Sequence, residues 1–229
     1  MKFFILILII TNSYVFPGTI QNVSTNEFII ENFNRSKEGS FPLEWISRNS
    51  LGKDLYIVSK EKDKKYLSIT DRGESVQIGK TISWDIKKFP VLEWRWRVKE
   101  LPVGASEAND ETNDSAAGLY VVFDKAWFIL PRTIKYVWSS SLPEGTVIKK
   151  GFTRIVVLRS GKNGTNAWVN ESVNIYNDYE KFFEKTPSNP QGIAILTDAN
   201  STRSIAVADY AEFKASDNIP KRVIAGEKN

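Results

Sequence analysis

The run Val91–Lys99, VLEWRWRVK, sets Glu93, Arg95 and Arg97 at alternate positions with Trp94 and Trp96 between them. Successive side chains of an extended strand point to opposite faces. The three charges therefore share one surface with Lys99, and the two indoles share the other with Leu92 and Val98. Arginines on a sheet face beside apolar residues need carboxylate partners, or an anionic or hydroxyl-rich ligand. Glu93 is one partner at hand. Asp209, which interrupts the apolar run IAVADYAEF, is another. Guanidinium donors, carboxylate acceptors and aromatic rings on one face suit a sugar, whose hydroxyls take hydrogen bonds while its C–H face stacks on indole.

Other residues add to this constellation. Trp138 precedes three serines and a Pro-Glu-Gly turn, an indole beside hydroxyls that reads as a sugar platform or as a core tryptophan ending a strand. Asp110, Glu111 and Asp114 gather oxygen ligands on a loop and make calcium a candidate ion, with Asp114 the best single residue. Asp198 and Asn200 follow the strand GIAILT, where a ligand role competes with turn formation through their own backbone. For Asp209 the plainer account is a structural salt bridge with Arg95 or Arg97. Carboxylate-pair glycoside chemistry would require Glu93 to meet Asp114 or Asp209 across a cleft.

Histidine and cysteine are both absent from the 229 residues. That excludes a Ser-His-Asp triad, a Cys-His pair, a His-ligated zinc and any disulfide framework. The formal charge of +4 is mild, and no basic tract marks a nucleic-acid partner. One lysine and the apolar run Phe3–Ile10 open the chain. The run is too short for a spanning helix and reads as a secretory signal peptide, with cleavage after Ser13 or Gly18. The expected location is periplasmic or secreted, with no membrane span after cleavage.

The elements that must position these side chains are short and β-rich. Candidate strands are Leu55–Lys60, Tyr66–Thr70, Leu92–Val98, Gly118–Phe123, Thr133–Trp138, Thr153–Leu158, Asn166–Val173, Gly192–Thr197 and Ser204–Phe213. Their β-branched and aromatic content, without alternating helices, predicts a sandwich or barrel. LYVVF and RIVVL are apolar on both faces, so the charged strand is expected to lie among them. SGKNGT reads as a hairpin connection. One helix is expected in NDYEKFF, capped by Asn177, with Tyr179, Phe182 and Phe183 on its packed face. The acidic loop Ala105–Asp114 is long for a compact β domain and is either functional or disordered. The expected layout is a signal peptide over residues 1–18, one sandwich domain over 24–216 and a flexible tail over 217–229.

The stretches LEWRWRV, NDSAAGLYVVF, IKYVWSSSLPEGT, VLRSG, GIAILTDANST and VADYAEF fall in order from Leu92 to Phe213. Together they resemble the bacterial family known as domain of unknown function 3047. The resemblance implies an exported bacterial protein with an all-β, jelly-roll-like sandwich, and it brings no established activity. Within that frame the residues point to a non-catalytic module for a carbohydrate or envelope glycan, with Glu93, Arg95, Arg97, Asp114, Trp138, Asp198 and Asp209 as candidate ligand contacts. The alternatives are a carboxylate-based glycoside hydrolase or lyase, and a structural protein of the envelope.

Overall fold

The computed structural model describes residues 26–123 and 131–218. The expected signal peptide and most of the expected tail lie outside these residues. In chain order the elements begin with β1 (Glu27–Glu31), β2 (Ile46–Ser47), a four-residue helix α1 (Gly52–Leu55), β3 (Ile57–Glu61), β4 (Lys64–Asp71), β5 (Ile78–Thr81) and β6 (Val91–Glu100). They continue with β7 (Ala117–Val122), β8 (Thr133–Ser139), β9 (Val147–Lys150), β10 (Thr153–Ser160) and β11 (Val169–Asn174). The chain then forms α2 (Ile175–Phe183), β12 (Gly192–Leu196) and β13 (Ala206–Ser216).

The strands make two sheets. The first runs β11-β6-β13-β4-β3, with β1 also paired to β13. The second runs β2-β5-β12-β7-β8-β10-β9. Together they form the expected jelly-roll-like β-sandwich, and among the described residues α2 is the one helix longer than a single turn. All strand pairs are antiparallel except β8 with β10. Among the described residues no helix is long and apolar enough to cross a membrane.

The alternation of β6 decides what fills the space between the sheets. Leu92, Trp94, Trp96 and Val98 are buried, while Glu93, Arg95 and Arg97 are only partly so. Trp94 lies 5.8 Å from Tyr136 of β8 with the rings tilted by 40°, and Trp96 lies 6.1 Å from Trp138 of the same strand. Each indole removes on the order of 200 Å² from water, worth roughly 5 kcal/mol as an upper bound. The polar edge of Trp96 is satisfied as well. Its Nε1 donates to Glu171 of β11 at 3.0 Å, and the same carboxylate takes Arg159 Nε of β10 at 2.7 Å. That ion pair links the two sheets along one side.

Three expectations change. The charged strand does not lie among LYVVF and RIVVL: β7 and β10 belong to the opposite sheet, and β6 is flanked by β11 and β13. SGKNGT is no hairpin, because β10 and β11 lie in different sheets and the segment carries the chain from one to the other. The cap of α2 is Asn174, whose side chain accepts from Asn177 N at 2.9 Å. The predicted face stands for Tyr179, which is buried and lies 4.6 Å from Phe123 and 4.7 Å from Phe183.

Candidate functional site

The outer face of the first sheet holds the charged row of β6. In the β6–β13 register Arg97 lies opposite Asp209, Arg95 opposite Ala211 and Glu93 opposite Lys214. Cross-strand neighbours on one face are close enough to bond. Arg97 Nε donates to Asp209 Oδ2 at 2.8 Å, and Lys99 Nζ sits 2.8 Å from the same oxygen. The Asp209 side chain is wholly buried beneath these cations. Burial opposes ionisation of Arg97, but its bond to Asp209 and the charges of Asp209 and Glu61 outweigh that and raise its pKa. Glu93 serves neither arginine. It accepts from Ser216 Oγ at 2.6 Å and lies 3.4 Å from Lys214.

Above this row stand two aromatic rings. Trp168, just ahead of β11, has the Arg97 guanidinium 4.5 Å and the Arg95 guanidinium 4.9 Å from its ring centroid. Tyr66 of β4 meets the same indole edge-on at 5.5 Å. The indole N–H donates to Glu61 Oε2 at 2.9 Å, and Arg97 Nη1 reaches that oxygen at 3.3 Å. The Trp168 bond and the Arg97 charge hold the Glu61 carboxyl below its usual range. Trp168 is only half-buried, so part of its surface remains open to a ligand.

Glu212 completes the wall through a break in the ladder. The β6–β13 register shifts between Ala211 and Lys214, and Glu212 adopts a left-handed φ of 55°. Strict alternation would turn Glu212 inward. The bulge instead keeps Phe213 in the core and turns Glu212 outward beside Ala211. There Glu212 accepts from Lys64 Nζ at 2.6 Å and Arg95 Nη1 at 3.1 Å. Burial raises its pKa, yet these two cations outweigh burial and leave it lowered.

These side chains line a groove of about 420 Å³ between Trp168, Tyr66, Arg95, Glu212 and the β3–β4 turn. A second cavity of about 320 Å³, reaching Ile29, Asn32, Asn34 and Lys214, shares Asp63, Lys64, Lys65 and Glu212 with it. The two adjoin across the outer face.

Asp114, Asp198 and Trp138 lie elsewhere. Trp138, read as a possible platform, has no exposed surface: it packs between the sheets and donates Nε1 to Gly161 O at 3.0 Å. Asp114 is buried and accepts from Ser201 N, Thr202 N and Thr202 Oγ1 at 3.1, 2.7 and 2.7 Å, which pins the β12–β13 loop. Burial pushes the Asp198 carboxyl up to about 6, with the Asp114 charge adding to it against the Ser75 hydroxyl and Lys135. Asp110 faces outward and pairs with Lys150 at 2.7 Å, so the loop carboxylates do not converge. Among the described residues no three carboxylates gather as a metal site. Glu93 and Arg97 are four residues apart on one strand, about 13 Å. Glu93 and Asp209 therefore do not face each other as a catalytic pair.

Trp168, Tyr66, Glu61, Lys64 and Glu212 were not singled out by the sequence. Trp168 carried a usable signal: Trp168, Asn170 and Ser172 alternate on the polar side of NAWVNESV. The outward turn of Glu212 had none, since a bulge has no mark in this composition.

Among curated proteins, none matches the chain. Similar solved structures include a mutant family 29 carbohydrate-binding module complexed with cellulohexaose, at 8% identity and a TM-score of 0.40 over 85% of this chain and 93% of that one. The cleaved adhesin domain of Lys-gingipain from Porphyromonas gingivalis matches at 11% identity and a TM-score of 0.38, over 86% and 99%. Endoglucanase 3 of family 12 from Trichoderma harzianum matches at 7% identity and a TM-score of 0.43, over 85% and 98%. At these identities and scores the likeness goes no further than the fold. The family model described as "Protein of unknown function (DUF3047)" matches residues 44–214, three-quarters of the sequence, and the chain belongs to that family.

Proposed function

We propose that the protein is an exported, non-catalytic binding module for a neutral glycan, held in the groove on the outer face of the first sheet. The observation that carries this reading is Trp168. A large indole stands half-buried on a sheet face, its N–H fixed by Glu61 and one side held by two guanidinium groups. A ring held this way costs little further entropy when a sugar's C–H face stacks on it. The surrounding Arg, Lys and Glu groups supply the donors and acceptors that hydroxyls need.

Charge balance supports a neutral ligand. Arg97 is answered by Asp209 and Glu61, Arg95 and Lys64 by Glu212, and Lys214 by Glu27 and Glu93. A uronate or sulfate drawn to Arg95, Arg97 or Lys64 would have to break one of these pairs. The carboxylates also favour binding over hydrolysis. A glycosidase acid needs a raised pKa, whereas Glu61 and Glu212 are both lowered by neighbouring donors. Export rests on the Phe3–Ile10 run.

Isothermal titration of the folded protein against soluble β-glucans, α-glucans and a polyuronate tests the proposal. Binding to a neutral polymer is expected, with Trp168→Ala weakening it at least tenfold. An unchanged affinity in that variant, or a preference for the polyuronate, would overturn it.

A further inference from the structure

A third cavity differs in character from the groove. It measures about 350 Å³ and is lined by Arg132, Lys149, Phe152, Arg154, Phe182, Phe183 and Glu184. The β9–β10 hairpin builds half of it. Gly151, at a φ of 55°, takes the left-handed position that the two-residue turn requires, and Phe152 follows it with 44% of its surface exposed. Arg154 continues the inward row of Val156 and Leu158 and emerges against α2, its guanidinium 4.8 Å from the Phe183 ring. Arg132 approaches the same ring at 6.0 Å.

Two of the cations here lie side by side. Lys149 and Arg154 are direct cross-strand partners. Like charges placed so repel and cost stability. Among the described residues neither makes an ion pair with a carboxylate. The Arg154 Nη1 donates only to the carbonyls of Gly151 and Thr153, at 3.1 and 3.2 Å. The carbonyl end of α2 offers roughly half a negative charge, too little to offset a pair of cations. The outer-face groove shows the contrast, since Arg95 and Arg97 each have a carboxylate.

We infer that this cavity is a binding site for a phosphate ester carried on an aromatic or other apolar body. The oxyanion would lie between Lys149 and Arg154, where it relieves their repulsion and takes charge-assisted bonds. The apolar body would lie on Phe182, Phe183 and the exposed Phe152. The source of the phosphate is either a soluble ester or a lipid headgroup. The site does not depend on the glycan reading, because its residues belong to the second sheet and α2.

The test uses the folded protein with inorganic phosphate, phenyl phosphate, and phosphatidylcholine vesicles with or without phosphatidylglycerol. Lys149 is exposed, so Lys149→Glu leaves the fold intact, and Lys149→Arg keeps the charge. Phenyl phosphate is expected to bind more tightly than inorganic phosphate, with at least a tenfold loss in K149E and near-wild-type binding in K149R. Vesicle binding that needs phosphatidylglycerol and fails in K149E supports the site and assigns the phosphate to a lipid. Phenyl phosphate binding without vesicle binding supports it and assigns a soluble ester. Failure of every probe, equal affinity for the two phosphates, or wild-type affinity in K149E overturns the inference. Glycan titration of K149E reads the groove separately and is expected to be unchanged.

Discussion

Replacing Asp209 by alanine should cost stability in a way that its position fixes. The carboxylate has no exposed surface and two cations within 2.8 Å. Removing one partner of a buried ion pair costs about 3–5 kcal/mol, chiefly because the other charge is left buried. Here the penalty is reduced. Lys99 is about one-third exposed and can turn to water, and Arg97 retains Glu61 at 3.3 Å and the Trp168 ring. About 2–3 kcal/mol is therefore expected for Asp209→Ala. Asp209→Asn should cost nearly as much, since it presents an amide donor to the same cations. The double variant Arg97→Met with Asp209→Leu should recover most of the loss, because apolar groups of similar volume replace buried pairs at little net cost. Urea unfolding followed by tryptophan fluorescence measures all three, with stability expected in the 5–15 kcal/mol range that leaves each variant folded. A loss below about 1 kcal/mol in Asp209→Ala, or strict additivity in the double variant, would refute a buried, coupled pair.

Two further predictions concern acids in other settings. The Asp198 carboxyl is raised from 3.8 to about 6 by burial, so the folded state binds its proton more tightly than the unfolded chain does. Its ionisation therefore lowers stability as pH rises through 6, by at most about 3 kcal/mol for two units, and that loss is regained as pH falls toward 4. Unfolding measured from pH 8 to pH 5 should show this rise in the wild type and a smaller one in Asp198→Asn; parallel profiles would count against it. Glu212 holds a left-handed φ at the bulge, so Glu212→Gly should be more stable than Glu212→Ala by about 1 kcal/mol, the reverse of the usual order within a strand. The ordinary order, measured by chemical unfolding, would mean the backbone relaxes out of that conformation.

The inward and outward sides of β6 could be read from VLEWRWRVK because a two-residue period needs no knowledge of partners. The link between Asp209 and Arg97 was legible for a related reason: a carboxylate in an apolar run demands a cation. Partner choice was not legible. Period and propensity are the same for a strand in either sheet, so β7 and β10 looked like neighbours of β6 while the chain had placed them opposite. The same limit misdirected the tryptophans. Trp138 beside serines and Trp168 beside asparagines look alike as text, and only the face of its sheet that each side chain takes makes one a core residue and the other a groove wall.

Strand β13 is the hub of the first sheet, paired with β1, β4 and β6 at once. Its Lys214 closes onto Glu27, 187 positions earlier. Until this strand has been synthesised, β1 and the β3–β4 and β6–β11 pairs lack the strand that joins them into one sheet. The nascent polypeptide should therefore remain unlocked until β13 has emerged, since distant pairings form late and slowly. Under the export proposed above, threading through a narrow translocation channel before folding would gain directly from such a delay.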